Sequence, residues 1–120
     1  HMYKRDDALF PDYVGALYYN YGDTAYPDGA RGEGLIAAYQ LAREMKDTVR
    51  AKRYHEALKL LCLAMYQLVN TDASTYSVPN PEKSIGGIRF KLTRQWFRID
   101  TTSHVANVFV DFAPFWDKPV

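Results

Sequence analysis

Two short stretches hold residue types that could do chemistry. One is Tyr26-Pro27-Asp28-Gly29-Ala30-Arg31-Gly32-Glu33-Gly34-Leu35. The other is Arg98-Ile99-Asp100-Thr101-Thr102-Ser103-His104. Each reads as the start of a helix, where unpaired backbone amides suit an anionic or hydroxyl-rich ligand. If both starts open on one rim, Glu33, Asp100 and His104 supply acid and base groups as catalytic candidates. Arg31 and Arg98 would then lie beside the substrate, with Tyr19 and Tyr26 as flat platforms. Two carboxyls across a sugar suit glycosidic bond cleavage, and aromatic walls suit sugar faces. Each residue also has a plainer reading. Asp100 can be a helix cap, Arg98 a surface or paired cation, and His104 a partly buried core residue. Gly32-x-Gly34 lacks the third glycine and the preceding strand of a dinucleotide fingerprint. No zinc-ligand spacing and no serine nucleophile elbow occurs, so neither a metal nor a cofactor is expected.

The elements that must position these residues are helical. Ala57 to Val69 is an apolar run broken only by Lys59 and Gln67, with no Gly or Pro. It is too long for a typical strand and too short to span a membrane. It therefore predicts a helix buried on most of its circumference, with apolar neighbours on more than one side. A first helix starts at Arg31 or Gly32 and runs to about Lys46, with Leu35, Ala38, Ala42 and Met45 on one stripe. Asp47 or Thr48 can cap the second, which ends near Asn70. Without a Gly or Pro between Lys46 and Tyr54, one long bent helix stays open. Otherwise the pair is an antiparallel hairpin. Arg43 and Asp47 stand four apart and can pair.

Thr71 to Gly87 reads as a long irregular connection containing Pro79-Asn80-Pro81 and Gly86-Gly87. Ile88 to Ile99 alternates loosely and has room for one short strand or hairpin arm. A third, apolar helix runs from His104 to about Phe112, capped by Asp100 and stopped by Pro114. Residues 3–30 are harder to read. Val14 to Tyr21 fits a short strand, a helix end or a packed loop. Tyr13, Tyr18, Tyr19, Tyr21 and Tyr26 either cover a small core or lie across something larger.

Composition sets the outer bounds. A chain of 120 residues with 48% hydrophobic and 15% aromatic residues implies one domain with a packed core. Net charge is +1. The densest basic run noted, Arg50-Ala51-Lys52-Arg53, reads as a solvated helix start, so no nucleic-acid partner is expected. No membrane partner is expected either. Cys62 is the single cysteine and reads as a small buried hydrophobe. His1-Met2 looks like a cloning remnant. Arg53-Tyr54-His55-Glu56-Ala57-Leu58 has the look of a tetratricopeptide second helix, without a second copy at the usual period.

A wider pattern then emerges. Gly32-x-Gly34-Leu35-x-x-Ala38-Tyr39-x-x-Ala42 is followed by Tyr54-x-x-Ala57-Leu58-x-x-Leu61. A proline-rich loop, Gly86-Gly87 and Arg98-x-Asp100-x-x-x-His104 complete it. From about Asp28 to Phe112 this order resembles one helical hairpin and the next helix of the six-hairpin (alpha/alpha) toroids. That superfamily includes glycoside hydrolases, polysaccharide lyases and sugar epimerases. The resemblance implies a mainly helical chain with little or no strand, one piece of a carbohydrate-active enzyme, inactive by itself. It carries no family-specific catalytic motif. The roles suggested for Glu33, Asp100 and His104 therefore rest on residue type and helix-start placement. The alternative is a non-catalytic helical interaction module. Under both readings large apolar helix faces stay open, which predicts a homo-oligomer.

Overall fold

The computed structural model describes residues 1–92 and 94–120. The chain is mainly helical. Its elements are α1 (Gly29–Glu44), α2 (Thr48–Tyr66), the single-turn α3 (Pro81–Ser84), β1 (Arg89–Lys91), β2 (Arg94–Phe97) and α4 (Ile99–Phe112). Short 3-10 turns lie at Pro11–Tyr13, Asp72–Ser74 and Ala113–Phe115. No described helix is long and apolar enough to cross a membrane.

Three residues separate α1 from α2, and Lys46 makes the break. It takes a left-handed backbone with φ 57°. Its amide donates to the Arg43 carbonyl at 3.0 Å, and that of Asp47 donates to the Ala42 carbonyl at 2.8 Å. These two bonds form a Schellman stop, a position usually given to glycine. Asp47 then caps α2, accepting the Arg50 amide at 3.0 Å. The same carboxylate pairs with the Arg50 guanidinium at 2.8 Å, so the expected Arg43 pair gives way to Arg50. Arg43 lies instead over the Phe115 ring, 4.8 Å from its centroid. The hairpin is therefore two helices, and the single bent helix is excluded.

The apolar run does lie buried on most sides. Leu58, Leu61, Cys62, Ala64, Met65 and Leu68 are buried, while Leu63, Tyr66 and Gln67 face solvent. The helix stops at Tyr66 rather than Asn70. The amides of Leu68 and Val69 close tight turns onto Met65 and Tyr66 instead of continuing the ladder. Burial pushes the Cys62 thiol up to about 12, which makes it an inert packing group.

Three neighbours supply that cover. The first is α1, running antiparallel. The second is the N-terminal segment, which folds around Tyr3. Tyr3 is fully buried, its hydroxyl donates to the Asp23 carbonyl at 2.8 Å, and its ring meets Tyr13, Tyr18 and Tyr21. Tyr13 and Tyr18 thus serve a small core with Ala16, Ala25 and Ala64. Tyr19 and Tyr21 stay exposed. Gly15, at φ +90°, lies against the Leu60 backbone, so residues 1–25 rest directly on α2.

The third neighbour is α4. Gly29 lies against His104 and Val105, Gly32 against Val108 and Leu61, and the Tyr39 ring against Phe112. Numbers rise together along α1 and α4, so these two helices run parallel. Numbers fall along α2 as they rise along α1 (Gly32 to Leu61, Tyr39 to His55). The core is Ile36, Tyr39, Ala42, Leu58, Leu61, Met65, Val105, Val108 and Phe112, with Ile88 at its edge.

Two expectations near α4 are corrected. The helix begins at Ile99, five residues before His104, and its cap position is Arg98, without a side-chain cap bond. Asp100 lies inside the first turn, where its charge suits the helix dipole. Upstream, the loosely alternating stretch is a small antiparallel hairpin of β1 and β2. The expected irregular connection also contains α3 and the Asp72–Ser74 turn.

Candidate functional site

Because α1 and α4 run parallel, their starts lie at one end of the bundle. Asp28 caps α1, so that helix begins at Gly29 rather than at Arg31 or Gly32. Its carboxylate accepts the Arg31 amide at 3.1 Å and pairs with the Arg31 Nε at 2.5 Å. The Arg31 guanidinium lies 4.2 Å from the Tyr19 ring centroid, and its Nη2 reaches the Tyr26 hydroxyl at 3.5 Å. The Tyr19 and Tyr26 rings lie nearly parallel, 15° apart with centroids at 6.5 Å. Burial raises the Tyr26 hydroxyl above its ordinary value, so it stays neutral while accepting from Arg31.

Glu33 follows Arg31 by two residues, about 200° around the helix, and so lies on the other flank. Its Oε2 meets His104 Nδ1 at 2.8 Å, and its Oε1 accepts from Asn107 Nδ2 at 2.7 Å. The Asn107 bond, then the His104 bond, holds the Glu33 carboxyl below the usual carboxylate range. With Nδ1 held by a carboxylate, neutral His104 presents Nε2 as a free lone pair, an imidazole oriented by an acid. No described hydroxyl or thiol is hydrogen-bonded to that imidazole.

Arg98 and Asp100 form a third group. The guanidinium donates twice to the carboxylate, at 3.1 and 2.7 Å, and both side chains are about half exposed. The Thr101 backbone amide, with Arg98, lowers the Asp100 carboxyl below its ordinary range.

The structure thus joins Glu33 to His104, Arg31 to Tyr19 and Tyr26, and Arg98 to Asp100. It records no bond from one group to another. Asn107 and Asp28 are additions that sequence reading missed. Asn107 stands at i+3 from His104, hence on its face. Asp28 is an acceptor immediately before a helix-compatible run, the pattern expected of a cap.

Comparisons with protein-family models, with curated proteins and with solved structures each find no match. Nothing outside the chain therefore assigns these groups a role. Among the described residues there is no group of three or more His, Cys, Asp or Glu side chains able to hold a metal ion.

Two surface depressions lie elsewhere. One of about 650 Å³ is walled by Ala8, Pro11, Val14, Leu60 and Leu63, with Arg5 at its margin. Another, of about 280 Å³, lies between α2 and α4 and is walled by Cys62, Phe109, Phe112, Ala113 and Trp116.

Proposed function

We propose that this chain is a non-catalytic helical interaction module that pairs with a second copy of itself. The observation carrying this reading is the open side between α2 and α4. Both helices pack chiefly on α1, which leaves a gap between them. Ala106 and Val110 on α4 and Ala113 just beyond its end are exposed at helical spacing, with Phe109 and Trp116 half-buried beside them and Leu63 exposed on α2. Val110 is 71% exposed, a position where an isolated helix face gains nothing from valine. A two-fold pairing would lay this stripe on its own copy, the self-complementary arrangement of most homodimers.

Sedimentation velocity tests this. The mass should rise from 13.8 kDa towards twice that value as concentration increases through the micromolar range. Val110→Asp should hold the chain monomeric at every concentration. A parent chain that stays monomeric at millimolar concentration would refute the reading.

A second reading, part of a carbohydrate-active toroid, has its own support. An antiparallel hairpin followed by a helix parallel to the first is the order of one hairpin and the start of the next. The parallel Tyr19 and Tyr26 rings beside Arg31 would give flat support to a sugar. Glu33 and Asp100 are both held towards ionisation, so neither carboxyl suits the proton donor of such a site, and both suit a base or nucleophile. Titration with mixed oligosaccharides, followed by NMR, should move the Tyr19 and Tyr26 ring signals together. Unmoved signals at millimolar sugar would end this reading.

A further inference from the structure

The β1–β2 hairpin is anchored through β1, which is half-buried, while β2 is exposed along its whole length. From Ile88 to Ile99 the chain carries Arg89, Lys91, Arg94 and Arg98 and no acidic residue, in a protein of net charge +1. Arg89 is used internally: its guanidinium donates to the Gln67 carbonyl at 2.7 Å and to that of Leu92 at 3.3 Å, tying the hairpin to the end of α2. The other three serve no such purpose. Lys91 and Arg94 are register partners across the hairpin, and like charges placed opposite one another are destabilising. Among the described residues Arg98 is offset by Asp100 alone.

Ile88 is buried and Leu92 packs against the core, but the apolar residues of β2 and the first turn of α4 are uncovered. Every residue of β2 is exposed, with Trp96 at 50% and Phe97 at 39%. Successive strand residues point to opposite faces, so neither face of β2 is a core face. Phe90 stacks on Trp96, centroids 4.5 Å apart and planes 17° apart. The Lys91 ammonium lies 5.9 Å and the Arg98 guanidinium 5.5 Å from the Phe90 ring centroid. Two residues beyond Phe97, Ile99 is 92% exposed.

Cations flanking an exposed tryptophan and an exposed aliphatic residue suit an anionic lipid surface. The cations meet headgroups, the indole settles at the interface, and the aliphatic side chain enters the acyl boundary. A single-stranded nucleic acid would use the rings and the cations but has no use for Ile99. We infer that the β1–β2 hairpin and the first turn of α4 form a peripheral contact site for a negatively charged lipid bilayer.

Cosedimentation with phosphatidylcholine vesicles, with and without phosphatidylserine, tests this. The chain should bind only the phosphatidylserine vesicles and release from them in high salt. Lys91→Gln with Arg94→Gln should weaken binding about thirty-fold, since each cation near such a surface contributes about 1 kcal/mol. Lys91→Arg with Arg94→Lys should restore it. In a Trp116→Phe background, Trp96 emission should shift to the blue on binding. Far-UV circular dichroism identical to the parent shows that the variants remain folded. Equal binding to both vesicle types, binding to neither, or an unchanged double variant overturns the inference. So does tight binding to poly(dT) by a chain that ignores vesicles.

Discussion

Valine in place of Gly29 should lower stability by about 3 kcal/mol, the upper range for overpacking a close contact. A Cβ at this position would lie 2.5 Å from the His104 carbonyl carbon and still nearer the Val105 amide. Those are backbone atoms of α4, so no side chain can swing aside. The whole helix must retreat from α1, and Val105 and Val108, both fully buried, lose part of their cover. The Glu33 to His104 bond bridges the same pair of helices and should lengthen with it. Gly34 is the control. It stands on the same helix with open space around it, so Gly34→Ala should gain up to about 1 kcal/mol from helix propensity alone. Urea unfolding separates the two: the Gly29→Val midpoint should fall and the Gly34→Ala midpoint should rise. Equal midpoints would mean that α1 and α4 do not meet at Gly29.

The contrast between those glycines shows where sequence reading reaches its limit. Both lie in one Gly-rich stretch, and nothing local says which one faces a helix more than seventy residues away. The central apolar run was readable because hydrophobicity is a property of the run itself. The break at Lys46 was not, because a left-handed lysine carries no Gly or Pro to mark it. A cap at Asp47 or Thr48 is legible, since a cap depends on the residue and its next three neighbours, and the structure selects Asp47. The same pattern misleads at Asp100, because Arg98 holds the cap position without a side-chain bond and Asp100 falls into the turn. Tyr3 is the hub of the N-terminal cluster and offered no signal. Its burial comes from contacts with Asp23 and Gly22, which only the folded path brings close.

The candidate site divides in the same way. Asp28 with Arg31 is local, and its partners are legible once the helix start is placed correctly. The pairing of Glu33 with His104 spans 71 residues. It follows from two facts together, that α1 and α4 are parallel and that Gly29 and Gly32 allow them to approach. Asn107 then comes with it, because a helix brings i+3 onto the face already turned towards Glu33. The hairpin cations form no run in the sequence because they are spread across two strands. Only cross-strand pairing puts Lys91 opposite Arg94.

The end of the bundle away from the helix starts is closed by aromatic packing, and Phe112→Ala should cost about 3 to 5 kcal/mol there. Phe112 is 1% exposed, and its ring meets Tyr39, His55 and Trp116 at centroid distances of 6.1, 5.3 and 5.9 Å. Those partners in turn hold the C-terminal segment. Buried His55 binds the Phe115 carbonyl through Nε2 at 2.8 Å, and the Tyr39 hydroxyl donates to the Lys118 carbonyl. One ring therefore supports both the α1–α4 seam and the tail. Tyr39→Phe separates the two functions, because it keeps the ring and removes only the hydroxyl. It should cost about 1 kcal/mol and raise amide exchange near Lys118, while exchange in α1 and α4 stays protected. Phe112→Ala should raise exchange in all three. Were Phe112→Ala to exchange faster only at the tail, α4 would be held to α1 by its glycine contacts alone, and the aromatic closure would be a lock on the C-terminus rather than part of the core.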